Sequence, residues 1–122
     1  MKIELEERFV NFAVTVIEIT NVLKPSIVST HLYKQLIRSA TAIPLNYAES
    51  RTAESKKDFV HKLCIALKEL RETRVNIEIL LKSNQFNDDK IVNTVLAENN
   101  ELISILTKSI ATTRNKYGLI TD

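Results

Sequence analysis

Glycine and proline are almost missing from this 122-residue chain, which has one Gly (Gly118) and two Pro (Pro25, Pro44). Turn-rich β architectures and the glycine loops that cradle phosphates both need more glycine than that. Cysteine occurs once, as Cys64, so no internal disulfide can form, and such a chain fits a reducing compartment. The charged start Met1-Lys2-Ile3-Glu4-Leu5-Glu6-Glu7 lacks the ~7–15-residue apolar core of a signal peptide. No run reaches the ~18–20 apolar residues that cross a bilayer. These absences lead us to expect a soluble, cytoplasmic protein. At this length residues 1–122 form one domain, able to bury about two thirds of its unfolded surface in a single core.

What is present is helical periodicity. Four segments space their apolar residues at i, i+3, i+4 and i+7, and no stretch alternates with period two for long enough to make a strand. The first segment runs from about Leu5 to Leu23 and stops before Pro25, which disfavours helix in the residue preceding it. Phe9, Phe12, Ala13, Val16, Ile17 and Leu23 mark its core side, and Val10, Val14 and Ile19 widen the apolar arc to roughly 220° at ~100° per residue. A helix packed on one core needs little more than ~100°. The surplus predicts a second contact through Val10, Val14 and Ile19, and hence an oligomer.

The second segment begins near Ser29 or Thr30, both good N-caps, and continues to about Ser50. It is expected to kink at Pro44, where a backbone donor is lost. Ser55-Lys56-Lys57-Asp58 is similar to a capping box and opens a third segment reaching Ser83, with Phe59, Leu63, Ala66, Leu67, Leu70, Ile77 and Leu81 inward. Asp88 and Asp89 suit a helix N-terminus and open the fourth, to about Asn115. Short connections set sequential helices antiparallel. The fold expected is therefore all-α, an antiparallel up-down-up-down four-helix bundle.

The net charge of +2 conceals an uneven distribution. Residues 51–83 hold eight basic side chains (Arg51, Lys56, Lys57, Lys62, Lys68, Arg71, Arg74, Lys82) against five acidic ones. On the third helix Lys57, His61, Cys64, Lys68, Arg71 and Val75 fall on one line, opposite the apolar stripe. Lys57, His61, Lys68 and Arg71 are the candidate nucleic-acid contacts, as positive charges that meet phosphates, with Arg71 suited to bidentate contact. Arg74 lies inside the apolar arc and Glu49 near the end of the second helix. Because a buried charge needs a partner, a structural Arg74–Glu49 ion pair is expected.

Catalytic residues are not expected. His61 and Cys64 are i, i+3 neighbours, but zinc takes four ligands, or three and a water, and neither His31 nor His61 follows a Glu at the spacing of a di-iron bundle. No glycine-framed elbow accompanies the thiol. No metal, cofactor, small-molecule substrate or membrane partner is inferred.

Gln35-Leu-Ile-Arg38-Ser39-Ala-Thr41-Ala-Ile43-Pro44-Leu-Asn46-Tyr-Ala48-Glu49, followed by Asp58-Phe59-Val-His-Lys-Leu63-Cys-Ile-Ala66-Leu-Lys-Glu69, resembles the bacterial four-helix-bundle family of 23S rRNA intervening sequence proteins. The resemblance runs from about Phe9 to Asn115. One departure is Ser50, where the family commonly carries Gly. The resemblance implies a homopentamer encoded within insertions of 23S rRNA genes or at free-standing loci. In a related branch, accessory to diversity-generating retroelements, a basic pentamer binds nucleic acid and a reverse transcriptase. The family brings no established catalytic residues. The expected function is a non-enzymatic homo-oligomer binding RNA, DNA or a nucleoprotein through the third helix. A protein-only interaction scaffold is the alternative.

Overall fold

The computed structural model describes residues 4–119. Helix α1 is Leu5–Ile19, α2 Ile27–Ser50, α3 Lys56–Lys82 and α4 Asp89–Tyr117, with a short 3-10 turn at Thr20–Val22. The described residues form the expected all-α, four-helix bundle.

Local chemistry explains the boundaries. Glu6 and Glu7 in the first turn of α1 face the positive end of its dipole. The α2 cap is Ser26 and not Ser29 or Thr30: the Ser26 hydroxyl accepts from the Ser29 amide at 2.9 Å, and the Ser29 hydroxyl accepts from the Ser26 amide at 3.1 Å. Pro25 has already turned the chain, so the extended Ser26 is the first residue able to close this reciprocal cap. Ser55 caps α3 by accepting from the Asp58 amide, and Asp88 caps α4. Asn84 at φ 60° and Gly118 at φ 62° lie just past the ends of α3 and α4, in the left-handed conformation that closes many helices. Helix α2 continues through Pro44 to Ser50 without a break.

Each helix packs on two others: α1 on α2 and α4, and α3 on α2 and α4. The α1/α2 and α3/α4 faces therefore lie on opposite sides of the bundle. At one end Lys24 donates to the Gln85 carbonyl at 2.7 Å and Asn87 to the Val22 carbonyl at 2.8 Å, tying the α1–α2 and α3–α4 connections together. Phe9, Phe12 and Val16 interlock with Leu36 and Ile43, Leu63 and Leu70, and Leu102 and Leu106, all fully or almost fully buried. Two polar contacts cross this core. Ser39 and Thr73 share a hydrogen bond of 2.8 Å between α2 and α3. Asn99 of α4 is fully buried against α3, donating to the Leu70 carbonyl at 3.1 Å and accepting from the Arg74 amide at 3.2 Å, an orientation set by those partners.

Helix α1 corrects one expectation. Ile19 is 2% exposed and belongs to the core, whereas Ile17 is 41% exposed. Ile19 follows Phe12 by seven residues and Val16 by three, so it shares their inward face. Ile17 stands in the same relation to Val10 and Val14, and these three make the outward apolar ridge. No helix among the described residues is long and apolar enough to cross a membrane.

Candidate functional site

Three of the nine Lys and Arg side chains on α2 and α3 are held in ion pairs among the described residues. Arg38 of α2 reaches Glu69 at 3.1 Å and also bonds Glu72, both on α3. Lys62 meets Glu49 at 3.2 Å. Arg74 does not pair with Glu49: its Nε lies 3.2 Å from Glu78, one turn along its own helix. Helix α2 packs on the side of α3 that carries Lys62, while Arg74 is turned toward α4, where its amide meets Asn99. Glu49, near the end of α2, stands at the level of Lys62, whereas Arg74 lies at the level of Ser39, which bonds the adjacent Thr73, so the Arg74–Glu49 pair does not form. A half-exposed pair of this kind contributes little to stability.

The Arg38 clamp sets two carboxyls against each other. Burial, and the hydrogen bond that its protonated form donates to Glu72, push the Glu69 carboxyl above its ordinary value. The hydrogen bonds from Glu69 and Arg38 hold Glu72 below it. Folding thus favours protonated Glu69, a contribution fully present below the ordinary carboxylate range and lost as pH rises through the raised value. The Glu72 contribution runs the other way: it is present above that range and lost as pH falls through the lowered value. We expect Glu69→Gln to raise the thermal midpoint at pH 7 by roughly 1–3 °C, the gain closing near pH 4, whereas Glu72→Gln lowers it. Parallel melts of both variants between pH 4 and 8 check this; a destabilised Glu69→Gln at neutral pH contradicts it.

Of the cations left unpaired among the described residues, Lys57, Lys68 and Arg71 share the outer ridge of α3. Lys57, His61, Lys68 and Arg71 are all exposed there, with Cys64 half-buried at the edge. None of Lys57, Lys68 and Arg71 forms an ion pair among the described residues. The ridge borders a groove of about 470 Å³ between α3 and α4, lined by Cys64, Leu67, Lys68, Arg71, Thr107, Ile110, Ala111 and Arg114. Arg114 approaches the Cys64 sulfur at 3.5 Å, and its Nε is shielded from solvent with no acceptor among the described residues. No three His, Cys, Asp or Glu side chains gather to hold a metal ion among the described residues.

On the α4 side of this groove the apolar period of the fourth segment marks Ile110 as inward, but Thr107, Ala111 and Arg114 have no counterpart in the sequence-based expectations. Their signal was antiparallel packing: residues at similar distances from the Asn84–Asp88 turn come side by side, which brings Cys64 and Leu67 of α3 near Thr107 and Ile110 of α4. On the far side of the bundle a second groove, of about 400 Å³, runs between α1 and α2 and is walled by Val10, Val14, Ile17, Pro44, Leu45 and Ala48. Val10, Val14, Ile17 and Leu45 are 45%, 47%, 41% and 64% exposed, a contiguous apolar ridge of the kind that marks an interaction surface.

A family model described as 23S rRNA-intervening sequence protein matches residues 1–108. Among solved structures, a protein of unknown function from Bacteroides thetaiotaomicron, described as belonging to the S23 ribosomal protein family, is similar over 88% of this chain and 98% of its own. The two are 29% identical, with a TM-score of 0.76. None of the curated proteins matches the chain.

Proposed function

Because the chain belongs to the family of 23S rRNA-intervening sequence proteins, we propose that it acts without catalysis, as a homo-oligomer of five copies that binds nucleic acid through the outer face of α3. The observation that carries this reading is the opposition of two unlike faces. The α1/α2 face is apolar and half-exposed. The α3/α4 face is lined by Lys68, Arg71 and Arg114, with no carboxylate in its groove among the described residues. Assembly through the first leaves the second facing solvent in every copy, and repeated positive faces add their fields. The pentameric number follows the family resemblance.

The contacts proposed are Lys57, His61, Lys68 and Arg71. Binding by such charges releases counterions, so affinity falls linearly with the logarithm of salt concentration. For a single-stranded RNA, Lys57→Gln, Lys68→Gln and Arg71→Gln combined should flatten that slope by about 2, at ~0.7 per lost phosphate contact, and weaken binding at least about tenfold at low salt. Fluorescence anisotropy from 50 to 300 mM salt reads both quantities. An unaltered chain with no affinity at low salt, or a slope the triple variant does not change, defeats the reading. Binding partners that survive nuclease treatment would then identify a protein-only scaffold.

A further inference from the structure

We propose that the groove between α3 and α4 takes an unstacked nucleotide, making the partner a single strand and not a duplex; the inference rests on the nucleic-acid reading above. Phosphate contacts need only exposed cations, and the outer ridge of α3 already offers them. The groove adds something that a duplex cannot use. Its floor is apolar, with Leu67 9% and Ile110 4% exposed and Ala111 and Cys64 beside them. A duplex turns its base faces inward and presents phosphates and sugars, so it would leave that floor uncovered. A single strand can splay a base out and lay it on apolar atoms or on a guanidinium plane.

Arg114 adds a third cation to the groove. It reaches the groove from α4, opposite Lys68 and Arg71 on α3, and its other described partner is the weakly accepting Cys64 sulfur at 3.5 Å. No carboxylate lines the groove among the described residues, so the guanidinium has no anionic partner there, and such a cation gains most from a charged oxygen. A phosphate held among Lys68, Arg71 and the outer nitrogens of Arg114 supplies that partner, with the attached sugar and base over Leu67, Ala111 and Ile110. The groove volume of about 470 Å³ lies in the ~300–1,000 Å³ range of small-ligand sites.

The test fills the groove without touching a charge. Ala111 is exposed, so Ala111→Trp should leave the helical circular dichroism unchanged and occupy the base position. The probe is a 12-nucleotide RNA, bound alone or annealed to its complement at 100 mM salt. The unaltered chain is expected to prefer the single strand at least fivefold. Ala111→Trp should lose at least tenfold for the single strand and less than twofold for the duplex. Arg114→Gln should weaken single-strand binding about tenfold. Equal affinity for the two forms, or an Ala111→Trp variant with undiminished single-strand binding, overturns the nucleotide groove and leaves the phosphate reading standing. No binding of either form by the unaltered chain overturns both.

Discussion

Val14→Asp is expected to hold the protein as a 13.9 kDa monomer at micromolar concentrations where the unaltered chain assembles. Val14 is 47% exposed in the isolated bundle, so a carboxylate there stays hydrated and costs the single subunit little. In the proposed assembly a neighbour would cover the same position. Full burial of a Val, Leu or Ile side chain stabilises by ~1.5–3 kcal/mol, and Val10, Val14, Ile17 and Leu45 each have about half of that still to gain. A lone carboxylate among them loses its own share and must also be desolvated without a partner, which costs several kcal/mol more. Leu45→Glu approaches the groove from α2 and should act alike. Multi-angle light scattering reads the mass, and circular dichroism shows that the monomers remain helical. Variants that keep the mass of the unaltered chain remove the α1/α2 face from the assembly, and an unaltered chain that is monomeric removes the assembly.

Asn99→Asp is expected to be the most damaging single-atom exchange in the core. The Asn99 amide is fully buried and bridges the Leu70 carbonyl and the Arg74 amide. Aspartate retains the shape and the acceptor but loses the donor, placing a carboxylate oxygen against the Leu70 carbonyl. At pH 7 the cost should be about 3–5 kcal/mol, or roughly 10–15 °C in melting temperature at fixed protein concentration. Burial raises the pKa of the new carboxyl above its unfolded value, so the penalty should shrink as pH falls toward the ordinary carboxylate range. Asn99→Leu separates charge from shape. The Leu70 carbonyl and Arg74 amide remain i, i−4 partners within α3, so its cost should be smaller, about 1–2 kcal/mol, and independent of pH. A loss in Asn99→Asp that does not change with pH would show that the buried charge is not its cause.

The sequence alone determined the number of helices, their approximate limits and the side of each that faces the core. A repeat near 3.6 residues, two prolines, and capping Ser and Asp side chains act within a few residues of one another, so no tertiary information is needed to read them. The exposed line Lys57, His61, Lys68 and Arg71 was legible for the same reason, being a property of one helix.

Three features were decided only when helices packed. Ile17 and Ile19 exchanged roles because Ile19 bounds the arc on the Phe12 side while Ile17 lies beyond Ala13 toward Val10 and Val14, and the positions of α2 and α4 settle which part of the arc is covered. Arg74 and Glu49 were separated because Glu49 meets α3 at the level of Lys62 and Arg74 lies near the level of Ser39; periodicity gives an angle around an axis but not the height at which a neighbouring residue passes. Arg114, Ala111 and Ile110 joined Lys68 and Leu67 in one groove through antiparallel register across the Asn84–Asp88 turn. Periodicity within a helix is local and is written in the chain; which residues of two helices share a groove depends on their packing, and that belongs to the tertiary structure.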